Sequence, residues 1–194
     1  MKNTLPISRL MVFVSAAIMI AVYFVPFWQI LMWAPQYPEG LTMKIWISKL
    51  SGDVEIINGL NHYIGMKHIK EEMFPEFKIM PYLLGGIIVF GMIAGLLGKK
   101  SMLWGFFALL ILAGAAGIYD FYQWGADYGH NLDPTAPIKV PGMSYQPPVI
   151  GTKVLLNFTA YSGPDTGGWI MVASGILIMG ALAVETFKNK VKVR

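Results

Sequence analysis

The segment Ile79–Trp124, IMPYLLGGIIVFGMIAGLLGKKSMLWGFFALLILAGAAGIYDFYQW, holds two long apolar runs parted by Gly98-Lys99-Lys100-Ser101. A hydrocarbon layer about 30 Å thick needs about 20 apolar residues in helix, and each run has that length. Working outward, two further runs qualify, so the expected spans are Leu10–Trp33, Ile79–Gly98, Met102–Trp124 and Gly168–Phe187. The chain is 55% hydrophobic and only 13% charged, against roughly 25% charged in soluble domains, which agrees with a lipid environment. The first run follows Lys2 and Arg9 as a signal peptide would. It is longer than the usual ~7–15 apolar residues and carries Tyr23, Pro26, Trp28 and Trp33, so a retained helix is expected. These runs predict an all-α membrane protein: a single four-helix domain over residues 1–194 with outer loops at 34–78 and 125–167.

Charge sets the expected direction. Lys2, Arg9, Lys99, Lys100, Lys188, Lys190, Lys192 and Arg194 are eight of fifteen basic residues, and all lie on three very short segments. The loops hold the other seven against nine acidic residues. The positive-inside rule then puts both termini in the cytoplasm and both loops outside, the periplasm of a Gram-negative cell. A net charge of +4 is in this light a topology signal, and no nucleic-acid partner is expected. Tyr23, Trp28, Trp33, Tyr82, Tyr119, Tyr122, Trp124 and Trp169 lie toward the outer ends of the spans, as an interfacial belt would. Gly91 with Gly95, and Ala113 with Gly117, make small-xxx-small steps, read as ordinary packing within the bundle.

The loops read as structured caps. Leu41, Met43, Ile45 and Ile47 alternate with polar neighbours, which suits a half-buried strand, and Ser51-Gly52-Asp53 suits a turn into a return strand at Val54–Ile57. From Asn61, a plausible N-cap, His62, Met66, Ile69 and Met73 share one helical face. Pro134, Pro137, Pro141, Pro147, Pro148 and Pro164 make the second loop an irregular, ordered cap without central strand.

The absence of cysteine excludes disulfides, thiolate zinc sites, iron-sulfur clusters and cysteine-bridged copper centres. All three histidines fall in the loops, which excludes a bis-histidine haem between the spans. Imidazole and thioether suit copper, so His62, Met66 and His68, completed by His130 or Met143, are candidate copper contacts. The competing reading of the same methionines is a packing face. Asp120 and Glu185 are carboxylates at the ends of spans; Asp120 suits hydrogen bonding at the interface, and Glu185 suits pairing with Lys188. Tyr37, Trp46, Tyr63, Tyr128, Met143 and Tyr145 are the residue types that enrich interface cores, so they are candidate partner contacts. No phosphate loop, catalytic triad or nucleotide fingerprint is present, and an enzyme with its own active site is not expected.

Four stretches carry a resemblance: APQYPEGL at Ala34–Leu41, GDVEIINGLNHYIGMKHI at Gly52–Ile69, YGHNLDP at Tyr128–Pro134 and VPGMSYQPPVIG at Val140–Gly151. Together they resemble the NosB-like family, small four-helix membrane proteins that accompany the second-clade, Sec-exported nitrous oxide reductase in Bacteroidetes and related bacteria. The similarity covers nearly the whole chain. It implies an accessory membrane partner of a periplasmic copper oxidoreductase, acting in docking, electron delivery or copper supply. The residues it singles out are Asn61, His62, Tyr63, Met66, His68, His130 and Asn131. Besides docking, copper handling at the histidines and a quinol-linked electron-transfer role near Asp120 are the readings left open.

Overall fold

The computed structural model describes residues 4–191, with side chains to Lys188; Lys2, Lys192, Arg194 and the Lys190 side chain of the charge argument lie outside the described residues. The expectation of an all-α protein is overturned: among the described residues, five α-helices accompany a five-stranded antiparallel sheet. The chain divides into two compact units. One comprises the residues up to Val25, Ile79–Ala115 and those from Thr166; the other comprises Pro26–Lys78 and Ala116–Asp165.

The first unit is helical. Helix α1 (Pro6–Ile18) starts with proline at its first turn, where the missing N–H costs nothing, and tightens into a 3-10 stretch over Met19–Phe24. Pro26 then stops it, because the residue before a proline avoids helical geometry, and Val25 is extended. The other members are α3 (Glu76–Leu97), α4 (Lys100–His130), which continues into the second unit, and α5 (Thr166–Val191). Among the described residues, Pro6–Phe24, Glu76–Leu97, Lys100–His130 and Thr166–Lys188 are long and apolar enough to cross a membrane.

Several buried polar side chains of this unit are paired, among the described residues. Glu185 caps α1: its carboxylate accepts from the Leu5 N–H at 2.6 Å and from the Ser8 hydroxyl at 2.9 Å. The residue expected to pair with Lys188 thus satisfies orphan donors at a helix start. At the opposite kind of terminus, Arg9 donates from Nε to the Gly95 carbonyl at 3.2 Å and also to the Leu96 carbonyl, capping the end of α3. Ser15 and Ser174 join α1 to α5 through hydroxyls 2.7 Å apart. A side chain at Gly91 would collide with Phe106 and Ala16, and one at Gly95 with Phe13, so the first small-residue step packs helices within the unit. Gly117 meets open space, so the second step is unused there.

The second unit is built on the sheet, in the order β3-β2-β1-β5-β4. Strand β1 (Trp28–Ala34) is the centre of the sheet, although its residues were read as the end of a membrane span. It pairs with β2 (Tyr37–Ile45) from the first loop and with β5 (Phe158–Pro164) from the second. Trp28 and Trp33 therefore belong to a strand and not to the end of a membrane-length helix. Strand β3 (Leu50–Gly52) forms one edge and β4 (Gly151–Leu155) the other.

The alternation at Leu41–Ile47 does mark a strand, but its main partner is β1, and Val54–Ile57 opens helix α2 (Val54–Ile64) instead of returning as a strand. Gly52 lies at a φ of 93°, and the Asp53 carboxylate accepts the Thr42 N–H at 2.8 Å, which turns the chain out of the sheet. The α2 helix ends at Gly65, whose left-handed conformation lets its N–H reach the Asn61 carbonyl. Asn61 is therefore at the end of a helix and not its N-cap.

The second loop departs most from expectation. The α4 helix runs on to His130, prolines occupy the irregular stretch at 131–150, and β4 and β5 then form a hairpin through Leu156 and Asn157. A core of Ile30, Leu41, Met43, Ile57, Ile69 and Tyr128 fills the space between sheet and helices. Each such side chain contributes about 1.5–3 kcal/mol by leaving water, less for the hydroxyl-bearing tyrosine.

Candidate docking face on helix α2

Helix α2 buries Ile57, Asn58 and Asn61 and turns Glu55, Ile56, Gly59, His62 and Tyr63 outward. The segment after it is held alongside by Asn58, whose side-chain amide donates to the Ile69 carbonyl at 3.0 Å and accepts the Ile69 N–H at 2.7 Å. That clamp sets His68 beside His62, with ring centres 6.4 Å apart and planes at 65°. The Tyr63 ring centre is 6.0 Å from that of His62, and the residue is 54% exposed. Lys67 bonds Asp127 at 2.6 Å, which ties the same segment to α4.

The expected copper cluster is only partly assembled. His62 and His68 come together, and both are exposed. Met66 lies past the end of α2, not on a shared helical face with His62, and is packed on the hydrophobic core. Met73 lies in a short 3-10 turn, where its sulfur accepts from the Tyr128 hydroxyl at 3.7 Å. His130 sits in the last turn of α4, with Nδ1 3.0 Å from the Ala126 carbonyl. Among the described residues, no group of three or more His, Cys, Asp or Glu is spaced to hold a metal ion. Of the four candidate contacts, His62 and His68 are the two whose rings lie side by side.

The proposed partner contacts sort by burial. Tyr128 is 3% exposed and Tyr145 4%, so both are interior residues. Tyr128 stacks within an aromatic cluster, 4.9 Å from Trp124 and 6.2 Å from Phe74. Tyr37 packs on the core, Met143 is half-buried, and the Trp46 indole donates to the Ser51 hydroxyl at 2.7 Å with Lys49 over its ring. Of the six, Tyr63 alone is exposed. Asp120 is exposed on α4. Sequence reading missed Ile56, which joins Tyr63 on the outer face, because Val54–Ile57 looked like a strand with the opposite periodicity.

Beyond the site, Asp133 accepts from the Thr135 N–H at 2.7 Å and its hydroxyl at 2.6 Å. These bonds to Thr135, with Lys139 and His62 adding smaller attraction, hold its carboxyl below the usual carboxylate range.

Fold and site together define a protein with four potential membrane helices and a mixed sheet-and-helix unit that carries an exposed aromatic and histidine face. No family model, curated protein or solved structure matches the chain.

Proposed function

We propose that this protein is a non-enzymatic accessory subunit of the cytoplasmic membrane that docks a periplasmic copper oxidoreductase, nitrous oxide reductase in the NosB-like reading. The four apolar helices hold it in the bilayer, with both termini cytoplasmic and the second unit outside, as the distribution of basic residues favours. The observation that carries the proposal is that β1 pairs with strands from both loops. Two sequence-distant connections thereby become one folded body, far more structure than linking helices needs. A folded body presents Ile56, His62 and Tyr63 at little entropic cost, which favours binding by preorganisation. Affinity purification from native membranes under denitrifying growth tests it: the copper enzyme copurifies with the wild-type chain. Repeated purification alone, in several mild detergents, overturns stable docking.

The His62–His68 pair supports a second reading, copper handling at the same face. Two imidazoles bind a Cu(I) ion in linear or bent fashion and can release it to a better-provided site.

A further inference from the structure

We propose that the outer edge of strand β4 is a docking site for an extended segment of another protein, which adds to the sheet as a further strand with an acidic residue opposite Lys153. The surface is separate from the α2 face, and the inference does not rest on the docking reading. The β4–β5 ladder runs in unbroken register from Gly151↔Ser162 to Leu155↔Phe158. A two-residue turn makes its flanking residues a hydrogen-bonded pair, and such pairs alternate with pairs whose backbone groups point away from each other. The N–H and C=O groups of Thr152 and Val154 therefore point away from β5, toward the open edge. Among the described residues, no backbone hydrogen bond outside the ladder reaches them.

The two edges of the sheet differ. Strand β3 has three residues, and its Leu50 N–H donates to the Glu71 carboxylate at 2.7 Å, which occupies that edge. Strand β4 has five residues without proline or bulge, the usual means of blunting an edge. Lysine is another such guard, but the Lys153 ammonium is drawn to the Gln146 carbonyl at 3.0 Å. Val154 is 68% exposed and shares a sheet face with Thr152. A regular edge with exposed apolar side chains is a template for association, and its unpaired backbone groups specify a strand as the occupant.

Charge and length choose among strands. In the added ladder Thr152 and Val154 make the hydrogen-bonded pairs, so Lys153 falls where facing side chains approach most closely. Antiparallel pairing of two β4 strands about their midpoint sets Lys153 against its own copy, and like charges directly opposite are destabilising. Moving the two-fold axis one residue along avoids that contact but leaves only three of the five residues of each β4 paired. A foreign strand with a carboxylate at this position pairs the full length. The lysine ammonium has three donors, so it serves the Gln146 carbonyl and a carboxylate together.

The test uses the full-length protein in mild detergent, titrated with the end-blocked peptide TVEVT and followed by amide NMR. Saturable shifts and slowed hydrogen exchange at Thr152 and Val154 are expected. Lysine in place of the peptide's glutamate should weaken binding about three- to tenfold. N-methylation of the two peptide valines, whose N–H groups face β4, should weaken it about tenfold or more, as loss of two hydrogen bonds predicts. Val154→Pro should act alike, since proline is tolerated on an edge strand whose N–H faces outward. A thermal melt checks its folding, and the N-methylated peptide tests the same bonds without altering the protein. Equal binding of the methylated and unmodified peptides, or unchanged exchange at Thr152 and Val154, overturns the proposal. Dimerisation of the wild type that Val154→Pro abolishes, without any response to the peptide, assigns the edge to a second copy and overturns the foreign strand.

Discussion

The indole N–H of Trp28 donates to the hydroxyl of Ser162 at 2.8 Å, joining residues 134 positions apart inside the second unit. Ser162 is fully buried and donates a hydrogen bond to the Val149 carbonyl at 3.1 Å, so the tryptophan heads a short hydrogen-bond chain from β1 through β5 to the segment before β4. Replacing Trp28 by phenylalanine keeps most of the apolar contact and removes the donor. The expected cost is about 1 kcal/mol, or a fall of about 2–4 °C in melting temperature. Trp28→Ala should cost about 3–5 kcal/mol, because it also leaves a cavity. Equal melting of the wild type and Trp28→Phe would show that the bond contributes nothing.

Orientation is testable because the chain has no cysteine of its own. Ser48→Cys and Asn157→Cys place thiols at exposed positions, one on each loop, and Ser101→Cys places one at the start of α4. In intact spheroplasts an impermeant thiol reagent should label the first two and spare the third. The reverse pattern would place the folded unit in the cytoplasm and end the periplasmic docking reading.

For the partner, burial separates interface residues from core residues. Tyr63→Glu with Ile56→Glu should lower recovery of the copper enzyme at least tenfold, while expression and melting temperature stay near wild type. Tyr128→Ala should instead destabilise the protein by several kcal/mol, since it empties a stacked aromatic position. Normal recovery with the double variant would move the docking face away from α2.

Copper binding, measured on purified protein with a Cu(I) chelator competition, should reach at most about one ion per chain. His62→Ala and His68→Ala should each abolish it. Met66→Leu should leave it unchanged, because the thioether packs on the core rather than beside the imidazoles. Loss of binding in Met66→Leu would restore a three-donor site.

Asp133 supplies a pH test with a definite sign. Its carboxyl is held low by the bonds from Thr135, so the turn they close is stabilised above the ordinary carboxylate pKa and loses that stabilisation as pH falls through the depressed folded value. A carboxyl-carbon NMR titration should find Asp133 below the usual range, and Thr135→Val should raise it by removing the hydroxyl. An unchanged titration in the variant would leave the backbone N–H as the whole cause.

Several features were legible along the chain because they depend only on local composition. Apolar run length marked four helices that reach membrane-spanning length, and alternation at Leu41–Ile47 marked a strand. The Gly91 and Gly95 spacing marked a packed helix face. The role of Trp28–Ala34 was not legible, because a continuous apolar run has no period that separates a buried central strand from the end of a membrane helix. The β4–β5 hairpin was hidden for a related reason: Leu156-Asn157 lacks the glycine that usually signals a tight turn, and the surrounding prolines masked two regular strands. The site followed the fold. His62 was identified from its chemistry, but its partner was decided by Asn58 clamping Ile69, a contact made only when α2 stops at Gly65. Local sequence determined which segments shun water and which side chains are chemically soft. Tertiary structure decided which of them meet, because strand pairing and side-chain clamps join residues whose separation along the chain leaves no periodic trace.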